Sequence, residues 1–121
     1  MADDPRRTLG RLGEDLARRH LERSGYVIVD ANFRTRYGEL DLVASNGRAL
    51  VFCEVKTRRA GGGSPFESLH VHKQRQVRRM AREWLSAPGR PRGRDLRFDA
   101  IGVTVDAAGR LVALEHLEGA F

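Results

Sequence analysis

Four charged side chains near the middle of the chain have the types and the spacing of a metal-dependent hydrolase site. The stretch from residue 38 to residue 56 is GELDLVASNGRALVFCEVK. Its acids, Glu39, Asp41 and Glu54, are hard oxygen ligands of the kind that Mg²⁺ and Mn²⁺ prefer. Lys56 follows Glu54 by two residues, and a lysine there can stabilise an attacking hydroxide or a pentavalent phosphate. An acid on one strand and Glu-x-Lys on the next indicate a metal-dependent phosphodiesterase.

A hairpin would bring these charged residues together. Asn46-Gly47 separates two apolar, β-branched runs and predicts a type I′ turn, which needs a positive φ at both central residues. The pairs that such a turn predicts are Ser45 with Arg48, Val43 with Leu50, Asp41 with Phe52, and Glu39 with Glu54. Side chains alternate between the two faces of a strand. One predicted face carries Glu39, Asp41, Glu54 and Lys56, and the other carries Leu40, Leu42, Val51, Cys53 and Val55.

If they served the fold alone, three carboxylates on one half-buried patch would be unfavourable. Like charges that face each other across strands are destabilising, and neighbouring carboxylates resist being ionised together. A divalent cation removes this conflict. The alternative is that charges on the outer face of a strand simply meet solvent, because a single Glu-x-Lys is weak evidence. Agreement of the spacing, the hairpin register and the face favours the catalytic interpretation.

Length and composition restrict the class of protein. A chain of 121 residues predicts one domain, spanning residues 1–121. No apolar stretch approaches the ~20 residues of a membrane span, and the initial MADDPRRT lacks the apolar region of a signal peptide. We therefore expect no membrane partner. The single cysteine, Cys53, excludes an internal disulfide and fits a reducing cytoplasm, where we expect it to be a small buried hydrophobe.

Positive charge is concentrated in one part of the chain. The formal net charge is +6, yet residues 56–97 contain 12 basic and 3 acidic residues. A basic region beside an acidic cluster indicates a polyanion held over a metal site. A well-solvated arginine-rich surface is the alternative. Among the 22 basic residues only Lys56 and Lys73 are lysines, which suggests that lysine is kept where a compact charge with an adjustable pKa is needed.

Hydrophobic periodicity predicts two helices and three strands besides the hairpin. The predicted elements are a helix at 8–24 ended by Gly25, a strand at 26–33, the two hairpin strands, a helix capped by Ser68 and running to about Ser86, and strands at 96–105 and 110–117. Strand, helix, strand implies a right-handed crossover and a mixed sheet flanked by helices. Glu14 falls at the edge of the apolar face of the first helix, where periodicity alone favours contact with water.

Arginines on the second helix and beside the hairpin are candidates for phosphate contacts. Val77, Met80 and Trp84 form an apolar stripe on that helix, and the arginines cluster opposite it. Lys73 falls on the apolar stripe, which is awkward unless it faces a polar site. The candidate nucleic-acid contacts are Arg34, Arg36, Arg58, Lys73, Gln74, Arg75, Arg78, Arg79 and Arg82. Surface arginines also occur without such a purpose. Arg97 and Asp99 share a strand face, where we expect a structural ion pair.

Four stretches together resemble a known family along nearly the whole chain. They are GRLGEDLARRHLERSGY, NFRTRYGELDLVA, FCEVKTR and RFDAIGV. With these, the chain resembles the YraN family of uncharacterised bacterial proteins. That family looks like the PD-(D/E)xK nuclease superfamily, with a layout closest to archaeal Holliday-junction resolvases. The resemblance implies an α/β, restriction-endonuclease-like fold with a mixed five-stranded sheet flanked by helices.

The resemblance also implies roles for individual residues. Asp41 matches the first acid of the motif, and Glu54, Val55 and Lys56 match its Glu-x-Lys, with the carbonyl of Val55 as a metal ligand. Glu14 matches the metal-binding glutamate of the amino-terminal helix in the resolvases. Leu40 stands where the first acid is often preceded by proline, and Glu39 is an additional acid.

The expected activity is hydrolysis of DNA phosphodiester bonds with Mg²⁺ or Mn²⁺, with branched DNA as a candidate substrate. RNA is not excluded, and a homodimer is left open. One alternative is a protein of the same fold that binds nucleic acid without cutting it. Another is an interaction protein whose basic surface meets an acidic partner, such as ribosomal RNA or a protein.

Overall fold

Seven secondary-structure elements follow one another in the computed structural model, which describes residues 4–67, 70–91 and 94–121. They are α1 (Pro5–Arg23), β1 (Val27–Thr35), β2 (Gly38–Ser45), β3 (Ala49–Arg59), α2 (Val71–Ser86), β4 (Asp95–Val105) and β5 (Leu111–Leu117). The α1 helix begins three residues earlier than predicted because Asp4 caps it, accepting a hydrogen bond from the N–H of Arg6. Arg34 belongs to β1, although the sequence placed it in the following connection. The predicted cap Ser68 lies outside the described residues.

The strands form one mixed sheet in the order β1-β2-β3-β4-β5. Neighbouring strands are antiparallel except β3 and β4, which are parallel and are connected through α2. A parallel pair requires a long crossover connection, and α2 provides it. The predicted mixed five-stranded α/β architecture, of the restriction-endonuclease-like kind, is confirmed. Neither helix of the described residues is long and apolar enough to cross a membrane.

The sheet separates two hydrophobic clusters. One packs against α1 and contains Ala17, Leu21, Leu42, Ala44, Val51 and Cys53 together with residues of β4. The other packs against α2 and contains Leu40, Val43, Leu50, Phe52, Val77, Met80, Ala81 and Trp84. Both helices therefore bury the apolar stripe that their periodicity predicts, and burial of these side chains is the main stabilising contribution to the fold.

The predicted register of the hairpin is wrong by two residues. Ser45 pairs with Leu50 and Val43 with Phe52, instead of Arg48 and Leu50. The cause is Asn46, whose side-chain oxygen accepts hydrogen bonds from the N–H groups of residues 48 and 49, at 3.0 and 2.8 Å. This arrangement extends the loop, and only Gly47 of the expected turn pair has a positive φ. The predicted oppositions of Asp41 to Phe52 and of Glu39 to Glu54 are therefore wrong.

The pairing between β2 and β3 does not extend to the acids of β2, Glu39 and Asp41. The paired residues end at Leu42 and Cys53, and beyond them a side-chain oxygen of Asp41 accepts a 2.8 Å hydrogen bond from the N–H of Val55. Leu40 packs in the cluster on the α2 side, whereas Leu42 packs on the α1 side. The prediction that Leu40 and Leu42 share a face is thus wrong, because alternation between the faces is interrupted where β2 passes Asn32 of β1, whose φ is 55°.

Helix α1 approaches β3 closely at Gly13. A Cβ atom built on Gly13 would lie 1.6 Å from Oγ1 of Thr57, so no side chain fits there. Glycine permits this approach of helix and sheet. Glu14, the next residue, is consequently held beside the point at which β2 and β3 separate.

Candidate metal centre and nucleic-acid surface

Three carboxylates from two elements converge where β2 and β3 separate. Glu14 of α1 and Glu39 and Asp41 of β2 each offer one oxygen, and these oxygens all lie within 4.8 Å of one another. All three residues are half-buried. The cluster borders a cavity of about 400 Å³ whose lining includes Glu14, Asn32, Arg34 and Glu39. We call Glu14, Glu39 and Asp41 the carboxylate cluster. Periodicity alone favours contact with water for Glu14, whereas the structure places it, half-buried, beside two other acids, a position compatible with the metal-binding role that the resemblance implies.

Asn32 joins two members of the carboxylate cluster. Its side-chain amide donates to Glu14 at 2.8 Å and to Glu39 at 2.7 Å. Asn32 has a φ of 55°, and it is the one non-glycine residue with a positive φ among the described residues. Such a backbone conformation is uncommon for residues with a side chain and is best tolerated by asparagine and aspartate. Asn32 was not among the residues predicted for the site; its signal was an asparagine, a residue disfavoured in strands, inside the predicted strand at 26–33.

Proximity and burial perturb the acids of the cluster. Burial, and next the negative charge of Glu54, raise the pKa of Asp41 to about 8, against the lowering effect of the Val55 N–H. Burial raises the pKa of Glu14, against the hydrogen bond from Asn32, and neighbouring carboxylates raise it further. Loss of solvation and like charges both disfavour ionised carboxylates. Full ionisation of this cluster thus requires compensating positive charge.

Glu54 is a fourth acid next to the carboxylate cluster. It is only 6 % exposed, and its Oε1 lies 3.2 Å from Nζ of Lys73, which projects from the first turn of α2. Its Oε2 is buried and has no hydrogen-bond partner among the described residues. A buried acceptor without a partner is costly and marks a position where a ligand can complete the arrangement. Lys73 therefore faces a polar group, Glu54 of the central strand β3, which explains a lysine on the apolar stripe of α2.

Lys56 and Val55 lie next to Glu54 on β3 but make different contacts. The N–H of Val55 holds Asp41, and its carbonyl remains a predicted ligand. The side chain of Lys56 is half-buried and has no ion-pair or hydrogen-bond partner in the part of the chain that is described. Lys73, and not Lys56, is therefore the lysine paired with an acid of the site.

The residues predicted to contact nucleic acid differ in their surroundings: some lie near a carboxylate and others do not. Arg34 and Arg58 are engaged with carboxylates, Arg34 with Glu39 at 3.7 Å and Arg58 with Glu67 at 3.6 Å. The α2 arginines are all exposed, as their stripe predicts; they are Arg75, Arg78, Arg79 and Arg82. Gln74 is half-buried on the same helix, and Arg36 lies exposed in the β1–β2 connection.

A second buried acid has a structural role, as its pairing with Arg97 predicts. Asp99 on β4 is fully buried, and its oxygens accept hydrogen bonds from Arg97 at 2.9 and 2.8 Å and lie 2.7 Å from Nε2 of His116. The N–H of Gly119 is a further donor at 3.0 Å. Burial acts to raise the pKa of Asp99, but these hydrogen bonds lower it to about 2. The ionised form is thus fully partnered by protein groups.

The donor set of the site suits a divalent cation. Four carboxylates lie in one region, one of their oxygens is buried without a partner, and the cluster borders a cavity. Oxygen ligands of this type suit Mg²⁺ and Mn²⁺. Within the described residues no other group of three His, Cys, Asp or Glu side chains has the spacing of a metal site.

Comparison with known proteins gives a consistent match over most of the chain. The model of the uncharacterised protein family UPF0102 matches residues 13–103. A UPF0102 protein of Rhodococcus jostii is 49% identical over 114 residues, which are 93% of this chain and 95% of that protein. One from Streptomyces griseus is 45% identical over 115 residues, 94% of this chain and 96% of that protein. A third, from Geobacter sulfurreducens, is 46% identical over 114 residues, 93% of this chain and 88% of that protein.

Proposed function

The chain belongs to the uncharacterised protein family UPF0102, the YraN family that its motifs indicate, and we propose that it is a metal-dependent endonuclease that hydrolyses DNA phosphodiester bonds. The observation that carries the proposal is the carboxylate cluster, whose three acids lie within 4.8 Å of one another beside the partly unpartnered Glu54. Acids gathered in this way, without an internal counter-charge for each, are expected to hold a cation.

Glu14, Asp41 and Glu54 would hold Mg²⁺ or Mn²⁺, and Glu39 and the carbonyl of Val55 are additional candidate ligands. A bound divalent cation supplies Lewis-acid polarisation of a phosphate and an ionised water as nucleophile. Asn32 fixes the orientation of Glu14 and Glu39 through its two hydrogen bonds. A hydrogen-bond donor that contacts the ligating carboxylates orients their oxygens and affects metal affinity.

Lys56 would stabilise the negative charge that develops on phosphorus. No neighbouring carboxylate among the described residues neutralises it, and it lies two residues beyond Glu54 on the same strand. A cation at such a position contributes most in the transition state, when the phosphoryl oxygens carry additional charge. The exposed arginines of α2 would supply sequence-independent contacts to the phosphate backbone.

A cleavage panel tests the proposal. Linear, flapped and four-way DNA are incubated with the protein and Mn²⁺ or with a chelator, under single-turnover conditions. We expect cleavage only with the metal. Lys56→Ala should lose about a hundredfold or more, the scale of one lost electrostatic donor, and Asp41→Asn, which removes a proposed metal ligand, should lose at least as much. Lys56→Ala should retain most DNA binding, and Lys56→Arg should restore little cleavage because a planar guanidinium is larger and differently shaped.

Glu22→Gln is the matched control, since it removes an exposed carboxylate of α1 that lies outside the carboxylate cluster. It should cleave at the wild-type rate. Cleavage by Asp41→Asn at the wild-type rate would overturn the proposal. Metal-independent, salt-sensitive DNA binding without any cleavage would favour the alternative, a nucleic-acid-binding protein of the same fold.

A further inference from the structure

A second cavity lies between the β1–β2 connection and the second half of α2. It has a volume of about 570 Å³, within the range of small-molecule sites. We call it the arginine pocket. Its lining residues are Arg36, Tyr37, Arg79, Arg82, Glu83 and Ser86.

The three arginines of this pocket are not neutralised by the protein. None of them has a carboxylate within 4.0 Å in the part of the chain that the structure describes. Some arginines elsewhere are paired: Arg90 lies 3.9 Å from Asp30, and Arg97 lies 2.8 Å from Asp99. Guanidinium groups that converge without a counter-ion repel one another, and an anion between them removes that repulsion.

Tyr37 holds two of the guanidiniums in place. Arg36 lies 5.1 Å and Arg79 lies 5.5 Å from the centre of its ring, both within the range of cation–π contacts. The carbonyl of Tyr37 in turn accepts a hydrogen bond from the side chain of Gln76 on α2. The pocket is thus pre-organised, because the conformational entropy of two long side chains is reduced before a ligand binds.

The charge of the arginine pocket matches a doubly charged anion. Three guanidiniums and the carboxylate of Glu83 line it, which leaves two positive charges in excess. A phosphate monoester carries about −1.5 to −2 near pH 7, whereas a phosphodiester carries a single charge. The planar guanidinium fork is also suited to bidentate contact with phosphate oxygens.

The pocket can be reached by a strand that also lies at the carboxylate site. Lys73, at Glu54, and Arg79, in the pocket, are separated by about 9 Å along the axis of α2 at 1.5 Å per residue. That distance corresponds to roughly three nucleotides of a B-form strand. A smaller cavity of about 230 Å³, lined by His72, Arg75 and Gln76, shares Tyr37 and Arg79 with the arginine pocket and lies along this path.

We propose that the arginine pocket binds the terminal phosphate monoester of a nucleic-acid strand, and that a phosphodiester roughly three nucleotides from that end lies at the carboxylate cluster. This inference rests on the proposed nuclease function and extends it, since it assigns the substrate a phosphorylated end close to the site of hydrolysis. The source of the monoester is a 5′ or a 3′ end, which the chemistry of the pocket does not distinguish and the following experiment does.

Binding of short single strands without metal tests the inference. A fluorescent 12-mer is prepared with a 5′ phosphate, with a 3′ phosphate, or with hydroxyls at both ends, and its Kd is measured with a chelator present. We expect one phosphorylated form to bind about tenfold tighter than the hydroxyl form, the scale of one charge-assisted hydrogen bond. The Arg36→Ala, Arg82→Ala double variant should lose this ratio, and Tyr37→Leu should reduce it while Tyr37→Phe keeps it.

Arg78→Ala is the matched control, because Arg78 is exposed on the same helix but lies 4.7 Å from the ring of Phe98, outside the pocket. It should leave the ratio of the two affinities unchanged, whatever its effect on affinity itself. Equal affinity for all three strands, or a ratio that survives in the double variant, would overturn the inference. Metal-dependent cleavage of strands with hydroxyl ends would then still support the nuclease proposal, so the two failures are distinguishable.

Discussion

Nζ of Lys73 lies 3.2 Å from Oε1 of Glu54, so a helix on one side of the sheet partly neutralises the acid at the centre of the candidate site. The other oxygen of Glu54 is buried without a partner among the described residues. Because Glu54 also raises the pKa of Asp41, and Lys73 lowers it, the charge of the site depends on α2 as well as on the strands.

Removing Lys73 should therefore strengthen metal binding. We expect Lys73→Met to bind Mn²⁺ about fivefold tighter than the wild type, since a positive charge near a surface site contributes on the order of 1 kcal/mol. Calorimetric titration measures the affinity. Arg75→Ala, which removes an exposed charge from the same helix, should bind as the wild type does. Unchanged affinity in Lys73→Met would show that Lys73 does not act on the bound ion.

Asn32 should affect metal affinity only through the orientation that its hydrogen bonds give to Glu14 and Glu39. We expect Asn32→Gly to weaken Mn²⁺ binding by about tenfold or more, because Glu14 and Glu39 lose their shared donor. Glycine accepts the positive φ of this position, so the variant should fold. Asn32→Ala should weaken binding and also lower the free energy of unfolding, by about 1 kcal/mol. If Asn32→Gly binds Mn²⁺ as tightly as the wild type, the amide does not orient the cluster.

Asp41 should make the metal-depleted protein less stable as the pH rises. Its pKa is about 8 in the folded chain against an ordinary value of 3.8, so between these values the folded state binds more protons and stability falls with increasing pH. Asp41→Asn should raise the free energy of unfolding at pH 8 by about 1 kcal/mol or more, and should change it little near pH 4. Urea unfolding in a chelator at both pH values measures this. If Asp41→Asn is no more stable than the wild type at pH 8, the expectation is wrong.

The elements could be predicted because they depend on local periodicity. The faces of the site could be predicted only in part, because alternation does not hold between Leu40 and Leu42, which pack on opposite sides of the sheet. The register of the hairpin could not be predicted, because it depends on whether Asn46 hydrogen-bonds its own loop. Periodicity also placed Glu14 in solvent, since it describes the face of a helix and not its distance from a sheet, which Gly13 determines. Lys73 was more informative, because a charge on an apolar stripe is awkward unless it faces a polar site, and Glu54 lies at that position.

Asp99 should stabilise the fold at neutral pH but not in acid. Its pKa is lowered to about 2, so its contribution is complete above the ordinary value of 3.8 and is lost as the pH falls through 2. We expect Asp99→Asn to reduce the free energy of unfolding by about 2 kcal/mol at pH 7 and by much less near pH 2. Glu118→Gln, which removes the exposed second partner of Arg97, should change it by less than about 0.5 kcal/mol. The same loss at both pH values would mean that Asp99 acts through packing and not through its charge.

Gly13 and Gly10 offer a paired test of how α1 positions Glu14. Gly13→Ala should displace α1 from Thr57, lower stability by about 1–3 kcal/mol as overpacking does, and weaken Mn²⁺ binding. Gly10→Ala should instead raise stability by about 0.5–1 kcal/mol, because its Cβ would meet nothing within 4 Å and alanine favours the helix. Thermal unfolding and Mn²⁺ titration give the two readouts. If Gly13→Ala binds Mn²⁺ as tightly as the wild type, the close approach of α1 to β3 is not what positions Glu14.

Cys53 precedes Glu54 on β3 and is fully buried, and burial raises the pKa of its thiol. It is also the single cysteine of the chain. A thiol in this state is inert to alkylating reagents until its strand is exposed. The rate at which the unmodified protein is labelled therefore measures how often the strand that carries Glu54 opens, and its dependence on added cation or DNA reports the rigidity of the site without any introduced probe.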